Sequence, residues 1–423
     1  MTDYRRMWSD LNMDLEKHDQ LMNALPLVYE DVFLRQAGRP RAMDYFDSVV
    51  AEIHSERIAE LQAHKNQGGK ICGAFCVFVP VEIARAAGAI AVGLCGGSQF
   101  WVPDGEKVLP RNLCPLIKAS VGARLSGTCP YFQSCDLLIG ETTCDGKKKA
   151  WEVLNEYAPV YVMDLPQMKR PRDLAAWREE TGLFLDKMEE LTGQRVTAEK
   201  LAVEIRRQNR LRRALERLYR ARQADPVPVS GKDALLVTQV GFYDDPDRFI
   251  ERTEALAAEA EERIAAGEGV FGAGAPRILV TGTPMAIPNW KLHHIIESAG
   301  AAVVGEETCT GTRFFAHQVD EGGVTLEEQL QALAERYLKI NCSCFTPNPG
   351  RIEDILRLVG ETRADGVVYY NLQFCHGYAV EYHAVEKALK ERGIPVMKVE
   401  TDYGEEDTGQ LSTRVEAFIE MLR

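Results

Sequence analysis

Short apolar runs alternate with amphipathic segments along two stretches of the chain, residues 66–165 and 276–423. Strands of a buried parallel sheet are continuous apolar runs, whereas helices carry apolar residues three or four positions apart. The runs predict strands at 70–78, 90–94, 137–140, 160–163, 277–282, 301–304, 366–370 and 394–400. The segments between them predict helices at 80–87, 115–124, 147–156, 290–298, 348–359 and from 412 onward. This alternation indicates an α/β protein with two flavodoxin-like or Rossmann-like parallel-sheet domains.

The remaining stretches have helical patterns. Residues 1–65 are polar with apolar side chains at helical spacing, which predicts a helical N-terminal region. Residues 166–275 predict a helical connecting region that ends in a Gly/Ala-rich linker at 267–275. One helix in this region, 201–222, has a narrow apolar stripe and many arginines. These are either a solvated face or a docking surface for an acidic partner, namely Arg206, Arg207, Arg210, Arg212, Arg213, Arg217, Arg220 and Arg222.

Length and charge restrict the class of protein. A chain of 423 residues can form two or three domains with their own cores. The net charge of −13 argues against a nucleic-acid partner. The N-terminus has no apolar segment typical of a secretory signal, so we expect a cytoplasmic protein. The most apolar stretch, 71–97, is interrupted by Glu82 and Arg85, which indicates a core segment and not a membrane span.

Eleven cysteines are many for a chain without an export signal. Disulfides are rare in a reducing cytoplasm, where cysteine clusters more often bind metals or catalyse reactions. Some are ordinary buried side chains, and we assign Cys72 and Cys135 to that group. Cys144 lies where a predicted strand ends and a helix begins, a position at which a helix N-terminus favours a thiolate. We therefore predict that Cys144 is a metal ligand.

The cysteines recur at similar places in the two α/β units. Cys114 lies 30 residues before Cys144, and Cys344 lies 31 residues before Cys375. A third pair, Cys95 and Cys309, follows Ala-Gly-Ala segments in both units, although coincidence can explain this pair. Core cysteines have little reason to repeat at loop positions after strands. A metal site in the cleft between two similar domains accounts for the repeat.

The spacing does not identify the metal. It is neither the compact C-x₂-C-x₂-C arrangement of ferredoxins nor the paired C-x-x-C arrangement of structural zinc sites. Thiolates select iron–sulfur clusters or zinc over hard cations. On the spacing alone, both remain open.

Several motifs resemble the 2-hydroxyacyl-CoA dehydratase and benzoyl-CoA reductase family from about residue 65 to the end. They are GAFCVFVPVEIARAAGA (73–89), CPLIKASVG (114–122), TCDGKKK (143–149), FCHGYAVE (374–381) and the segment 394–420. The resemblance implies paired α/β domains and an iron–sulfur cluster held by three cysteines. Carried over by motif, these ligands are Cys114, Cys144 and Cys375.

Additional motifs resemble the double-cubane-cluster branch of that family. They are SGTCPYF around Cys129, EETCTG around Cys309, and NCSCFTPN with Cys342 and Cys344. This branch carries two 4Fe-4S cubanes joined by a bridging sulfide, an 8Fe-9S unit that needs six thiolates. The resemblance therefore implies Cys129, Cys309 and Cys344 as the three further ligands, with Cys342 as the substitute for Cys344.

The resemblance also implies an anaerobic reductase of small molecules that receives electrons from a separate ATP-hydrolysing iron–sulfur activator. The chain has no GxxxxGK[ST] phosphate loop, which agrees with ATP being bound by that partner. We also expect a homodimer. Three alternatives stay open: a 2-hydroxyacyl-CoA dehydratase subunit with a single 4Fe-4S cluster, a zinc-binding protein, and an electron carrier without its own substrate.

Candidates for proton transfer are His376 and Glu141, with Glu82 as a weaker one, although each of these side chains has a plain structural explanation as well. Lys147, Lys148 and Lys149 either offset cluster charge, dock the partner or form a solvated helix start. We expect Cys76 to line the pocket without binding metal.

Overall fold

A computed structural model describes residues 3–423, which form two four-stranded sheets and the helices around them. The strands are β1 (Lys70–Ala74), β2 (Ala89–Gly93), β3 (Leu137–Glu141), β4 (Val160–Met163), β5 (Arg277–Gly282), β6 (Ala302–Glu307), β7 (Gly366–Leu372) and β8 (Val396–Thr401). The first sheet has the order β2-β1-β3-β4 and the second the order β6-β5-β7-β8, and every pairing is parallel. The predicted α/β class with two parallel sheets is confirmed.

The helices cover both sheets and the regions before and between them. In the N-terminal part they are α1 (Tyr4–Asp10), α2 (Leu15–Tyr29), α3 (Met43–Ala51) and α4 (Glu56–Asn66), with a π-helical turn at Glu30–Leu34. Around the first sheet lie α5 (Val81–Ala86), α6 (Val102–Gly105), α7 (Pro115–Leu125), α8 (Pro130–Ser134) and α9 (Asp145–Leu154), with a 3₁₀ turn at Gln99–Trp101. Then follow α10 (Pro171–Thr192), α11 (Ala198–Ala221), α12 (Gly231–Val240) and α13 (Pro246–Ala266). Around the second sheet lie α14 (Lys291–Ser298), α15 (Thr312–Phe315), α16 (Leu326–Leu338), α17 (Pro349–Thr362), α18 (His376–Lys390) and α19 (Thr408–Leu422).

The two sheets have the same topology, which supports the repeat seen in the cysteine positions. In each, the chain first moves outward from the central strand to one edge strand and then crosses to the other side of the sheet. Such a reversal creates a crevice at the carboxyl ends of the strands, where open α/β sheets bind their ligands. Each half of the molecule therefore provides one such crevice.

The first strand is shorter than its apolar run predicts. The run 70–78 predicts a single strand, but β1 ends at Ala74. Residues 77–79 are buried in the core all the same, packed outside the sheet. The residues after the strand are apolar because they are buried in the core, although they pair with no neighbouring strand. The turn at the end of β1 carries Cys76.

The helices between the two sheets pack against both halves. Helix α11 contacts α5 of the first half and α15 and α16 of the second, and all ten residues of α12 are buried. The arginines of α11 are not simply a solvated face, which was one of the two interpretations. Arg210 and Arg217 pair with Glu254 and Glu261 of α13 at 2.7 and 2.5 Å. Two others, Arg212 and Arg222, are fully buried.

The N-terminal region is anchored both to the connecting helices and to the second half. Arg39 pairs with Asp47 of α3 and with Asp233 of α12, both at 2.8 Å. The ring of Phe33 packs edge-on against Trp290, with 5.0 Å between the ring centroids. Among residues 3–423, none of the helices combines the length and the apolar character needed to cross a bilayer.

Candidate metal centre

One cavity of about 480 Å³ lies at the carboxyl ends of the strands, between the two halves of the molecule. Eight of the eleven cysteines line it. Five of them follow strands, namely Cys76, Cys95, Cys144, Cys309 and Cys375. The other three lie in the loops before helices, namely Cys114, Cys342 and Cys344. The cavity therefore collects thiols from both α/β units, as the repeat predicts for a site in the cleft.

Three of these cysteines form a first group at helix N-termini. Cys114, Cys144 and Cys375 are the N-cap residues of α7, α9 and α18. The Cys144 sulfur accepts a hydrogen bond of 3.5 Å from the backbone N–H of Lys147. Free backbone N–H groups and the helix dipole stabilise negative charge at such positions. The structure thus places the three ligands that the family motifs imply in the lining of the same cavity, each at the N-terminus of a helix.

The thiols of Cys114 and Cys375 affect one another's pKa in opposite directions. The Cys375 thiol donates to Cys114 and lowers the pKa of Cys114, against the effect of burial, with help from the N–H groups of Leu116 and Ile117. The same interaction raises the pKa of Cys375. One member of the pair is therefore readily ionised. Cys114 belongs to the first half of the molecule and Cys375 to the second, so this interaction between thiols crosses the cleft.

A second group of thiols comes from Cys309, Cys342, Cys344 and Cys76. The Cys344 thiol lowers the pKa of Cys342, against burial, because it donates to the ionised sulfur. The same interaction raises the pKa of Cys344, and burial and the nearby thiols add to that effect. The Cys342 sulfur lies 3.6 Å from the Tyr378 hydroxyl.

Cys76 lies among the thiols of the second group. Burial raises its pKa first, and the charges of Glu141, Cys309 and Cys342 add to that effect. Cys95 belongs to neither group, and its thiol donates to the carbonyl of Phe75 at 3.1 Å.

Buried cations lie behind both groups. Lys147 forms a buried ion pair with Glu141 and also lines the cavity. Burial works against its ammonium, but Glu141 and the thiols of Cys76 and Cys95 outweigh that and raise the pKa of Lys147. On the other side, the Arg313 guanidinium lies 3.7 Å from the Cys309 sulfur. These cations favour thiolates in the cavity.

The Arg313 guanidinium is held in place by Glu307. Its Nε lies 2.5 Å from Oε1 of Glu307, and a second nitrogen lies 2.8 Å from Oε2. Arg351 contacts the same carboxylate at 3.2 Å. Arg313 lies only six residues after Glu307, whereas Arg351 lies 44 residues after it, so the sequence does not indicate that one carboxylate binds both guanidinium groups.

Cys129, the other predicted ligand, is not among the residues that line the cavity. It is buried at the N-cap of α8, a five-residue helix that packs against α4 and β1. Its charge acts on Cys135, whose thiol pKa is raised most by burial and further by both Cys72 and Cys129. Burial raises the pKa of Cys129 to about 11, although the N–H groups at the start of α8 partly oppose this.

The proton-transfer candidates occupy different positions. His376 lines the cavity and is exposed at its mouth. Glu141 is buried behind Lys147 and is not part of the lining, and one of its oxygens has no hydrogen-bond partner in the described chain. Glu82 is fully buried and bonds Arg212 and the Tyr337 hydroxyl, each at 2.7 Å.

Lys148 and Lys149 pair locally, with Asp145 and Glu152, so only the first lysine of the three faces the cavity.

Within residues 3–423, no three cysteine, histidine or carboxylate side chains converge closely enough to hold a single metal ion. The thiols are instead distributed around the cavity wall.

Comparisons with known proteins agree with the motifs. The family model described as 2-hydroxyglutaryl-CoA dehydratase, D-component, matches residues 76–422. YjiM from Escherichia coli strain K12, named provisionally as a dehydratase subunit, is 42% identical over 361 residues, or 85% of this chain and 93% of YjiM.

Two more distant relatives have names that state an enzyme activity. The β subunit of (R)-2-hydroxyglutaryl-CoA dehydratase from Acidaminococcus fermentans is 25% identical, over 86% of this chain and 95% of its own. A benzoyl-CoA reductase subunit from Thauera aromatica is 22% identical, over 77% of this chain and 84% of its own. The resemblance noted in the sequence is thus confirmed at the level of the family, and relatives of this kind indicate an enzyme. The chain belongs to the 2-hydroxyglutaryl-CoA dehydratase D-component family.

Proposed function

We propose that this protein is an anaerobic iron–sulfur reductase of small molecules that holds an 8Fe-9S double-cubane cluster in the thiol-lined cavity. The observation that carries the proposal is the convergence of eight thiols from both halves on one cavity. Thiolates are the ligands of iron–sulfur clusters, and a cluster of this size needs ligands spread around a volume. When bound, the cluster supplies electrons of low potential to a small substrate beside it.

The two thiol groups suggest how the ligands are divided. The N-cap group of Cys114, Cys144 and Cys375 would hold one cubane. Cys309 and Cys344 would hold the other, with Cys342 as the substitute for Cys344. The motifs imply Cys129 as the sixth ligand, but it does not line the cavity. In this proposal Cys76 takes its place, because it lies among the second group of thiols. This replaces the expectation that Cys76 lines the pocket without binding metal.

The protein's own charges suit such a centre. Six thiolates in a closed cavity repel one another, and burial makes each one costly. Lys147 and Arg313 place positive charge beside the two groups. The three helix N-termini add partial positive charge beside the first group. His376 at the cavity mouth is placed to deliver a proton from solvent, while Glu141 would act only through Lys147.

The reductase would work with partners. The relatives are named as subunits of larger enzymes, which supports the expectation of partner proteins. In this proposal an ATP-hydrolysing iron–sulfur activator delivers electrons, and the catalytic chain is a cytoplasmic homodimer.

A second candidate is a subunit of a 2-hydroxyacyl-CoA dehydratase with a single 4Fe-4S cluster. The names of the relatives favour it, as does the separate N-cap group, which would suffice for one cubane. In that case the second group of thiols would carry no iron.

Metal analysis after purification without oxygen separates the two candidates. The reductase proposal predicts about eight irons and about nine sulfides per chain, and the dehydratase alternative about four of each. Cys76→Ser should lose about half of the iron, whereas the matched change Cys129→Ser should leave it unchanged. Reduction of acetylene that requires ATP and the activator would support the activity. Zinc in place of iron, or a four-iron protein, would contradict the proposal.

A further inference from the structure

Part of the cavity lining carries an excess of buried positive charge. Three guanidinium groups line it, from Arg85 of α5, Arg212 of α11 and Arg336 of α16. Only Arg212 has a bonded carboxylate, since it pairs with Glu82 at 2.7 Å. Buried charges in proteins are normally paired, because an isolated one loses its hydration without compensation.

Arg336 is satisfied without a counter-charge. Its guanidinium donates to the backbone carbonyls of Phe314, Ala316 and His317 at 2.7 to 3.3 Å. Burial and the neighbouring Arg212 lower its pKa to about 9. These three carbonyls fix the side chain in place, so it contributes charge to the wall but offers few free donors.

Arg85 has free donors and no counter-charge. Its single side-chain hydrogen bond runs from Nη1 to Oε1 of Gln208, at 2.7 Å. Within residues 3–423, no carboxylate oxygen lies within 4.0 Å of its guanidinium. The surrounding protein closes it off from bulk water, yet it keeps accessible surface because it borders the cavity. Burial lowers its pKa, and Glu204 and Glu82 offset this only in part.

We propose that Arg85 and Gln208 form a binding site for the carboxylate of a small substrate, which enters the cavity with its apolar part toward the thiols. A guanidinium presents paired donors that match the two oxygens of a carboxylate, and such charge-assisted bonds are strong in a site closed to water. The bound anion supplies the negative charge that this wall lacks. The cavity lining also contains apolar side chains, among them Val77, Val81 and Phe242, which suit the apolar part of such a substrate.

The size of the cavity limits the substrate. A total of about 480 Å³ must hold both the ligand and whatever the thiols bind. The remaining space suits a short-chain carboxylate and excludes a large one. Binding of the anion is independent of the cluster; only the role of the bound anion as the substrate rests on the proposed function.

A pair between Arg85 and Glu204 is the competing arrangement. Glu204 already pairs with Arg207 at 2.5 Å, but its second oxygen has no partner in the described part of the chain. If Arg85 used that oxygen in solution, the cavity wall would carry no free donors. A small anion would then gain nothing from entering, so an anion-binding measurement distinguishes the two arrangements.

The experiment measures binding of sodium propanoate to the full-length protein purified without oxygen, by titration calorimetry at constant ionic strength. Propanamide, which has the same shape without the charge, and sodium chloride serve as comparison ligands. The variants are Arg85→Gln, Arg85→Lys and the matched control Arg206→Gln, which changes an exposed arginine of α11. Iron is determined in every preparation, so that loss of the cluster is recognised separately.

Propanoate should bind the natural protein and Arg206→Gln equally, and Arg85→Gln at least about tenfold more weakly. Arg85→Lys, which keeps the charge but not the paired donors, should fall between them. Equal binding of propanoate to Arg85→Gln, equal binding of propanamide or chloride to the natural protein, or no propanoate binding by iron-loaded protein would overturn the inference. Arg85-dependent binding by protein with the wrong iron content would refute the proposed cluster and leave the anion site standing.

Discussion

Replacing Glu297 by Gln should make the protein more stable in alkaline solution, although Glu297 accepts two hydrogen bonds. This residue of α14 is buried, and its carboxylate accepts the N–H groups of Gly231 and Lys232 at the start of α12, at 2.6 and 3.3 Å. Burial outweighs these bonds and the charge of Lys232, and it raises the pKa of Glu297 from 4.5 to about 7.

The sign and size follow from proton linkage. Because the folded state holds this proton more tightly than the unfolded chain, stability is lost as pH rises from about 4.5 through about 7. A shift from 4.5 to about 7 corresponds to about 3.4 kcal/mol in total, of which about 2 kcal/mol is lost between pH 5.5 and 8.5. Gln cannot ionise and therefore avoids this loss, at a cost of about 1 kcal/mol for the less favourable contact with the Lys232 N–H.

The assay is urea unfolding under reducing, oxygen-free conditions at pH 5.5, 7 and 8.5. The difference in free energy of unfolding between Glu297→Gln and the natural protein should move by about 2 kcal/mol in favour of the variant across this range. Parallel curves for the two proteins would refute the reasoning.

A second buried glutamate serves as the control. Glu306 pairs with Arg222 at 2.9 Å, and although burial opposes it, the pairing with Arg222 and His293 lowers its pKa to about 2. It is ionised in both the folded and the unfolded chain from pH 5.5 to 8.5, so its contribution is constant there. Glu306→Gln should be less stable by about 3 kcal/mol or more at every pH, because Arg222 loses its buried partner.

Three further changes test other parts of the fold. Burial lowers the pKa of His54 to about 3. The free energy of unfolding of the natural protein should therefore fall by about 2 kcal/mol between pH 6.5 and 4.5 because of this group. In urea unfolding, the free energy of unfolding of His54→Gln should depend less on pH over this range. Leu236→Ala should cost about 2–5 kcal/mol because the side chain is fully buried in α12, whereas Val203→Ala, with 46% of the residue exposed, should cost less than about 0.5 kcal/mol in the same assay. A Cβ at Gly97 would lie 1.9 Å from the Ala286 carbonyl oxygen, so Gly97→Ala should lower the melting temperature by forcing the two halves apart.

Most of the sheet framework could be predicted because buried parallel strands have a simple signature. Seven of the eight predicted strands lie within a few residues of their observed bounds, and only the first runs on past its end. The cysteines at strand ends could also be placed, since a parallel sheet brings all its carboxyl ends to one edge. That geometry places Cys144 at the carboxyl edge of the first sheet and Cys375 at that of the second, and both residues line the cavity.

The placement of Cys129 could not be predicted from its local pattern. Cys114 and Cys129 both precede a proline at the first position of a helix, so their local signals are the same. What separates them is how the helices pack: α7 begins at the cavity, while α8 packs against α4. The position of Arg85 in the cavity lining is equally hidden in the sequence, because a single charge in an apolar stretch gives no indication of its partner.

The central claim is that thiols from both halves bind one inorganic core in the cavity between them. The most direct measurement is an anomalous diffraction map at the iron edge, from crystals of the full-length protein grown without oxygen. We expect a compact set of iron peaks in the cavity, bonded to Cys144 of the first half and to Cys375 of the second. Iron confined to the sulfurs of one half, or a cavity without iron in protein that contains iron elsewhere, would contradict it.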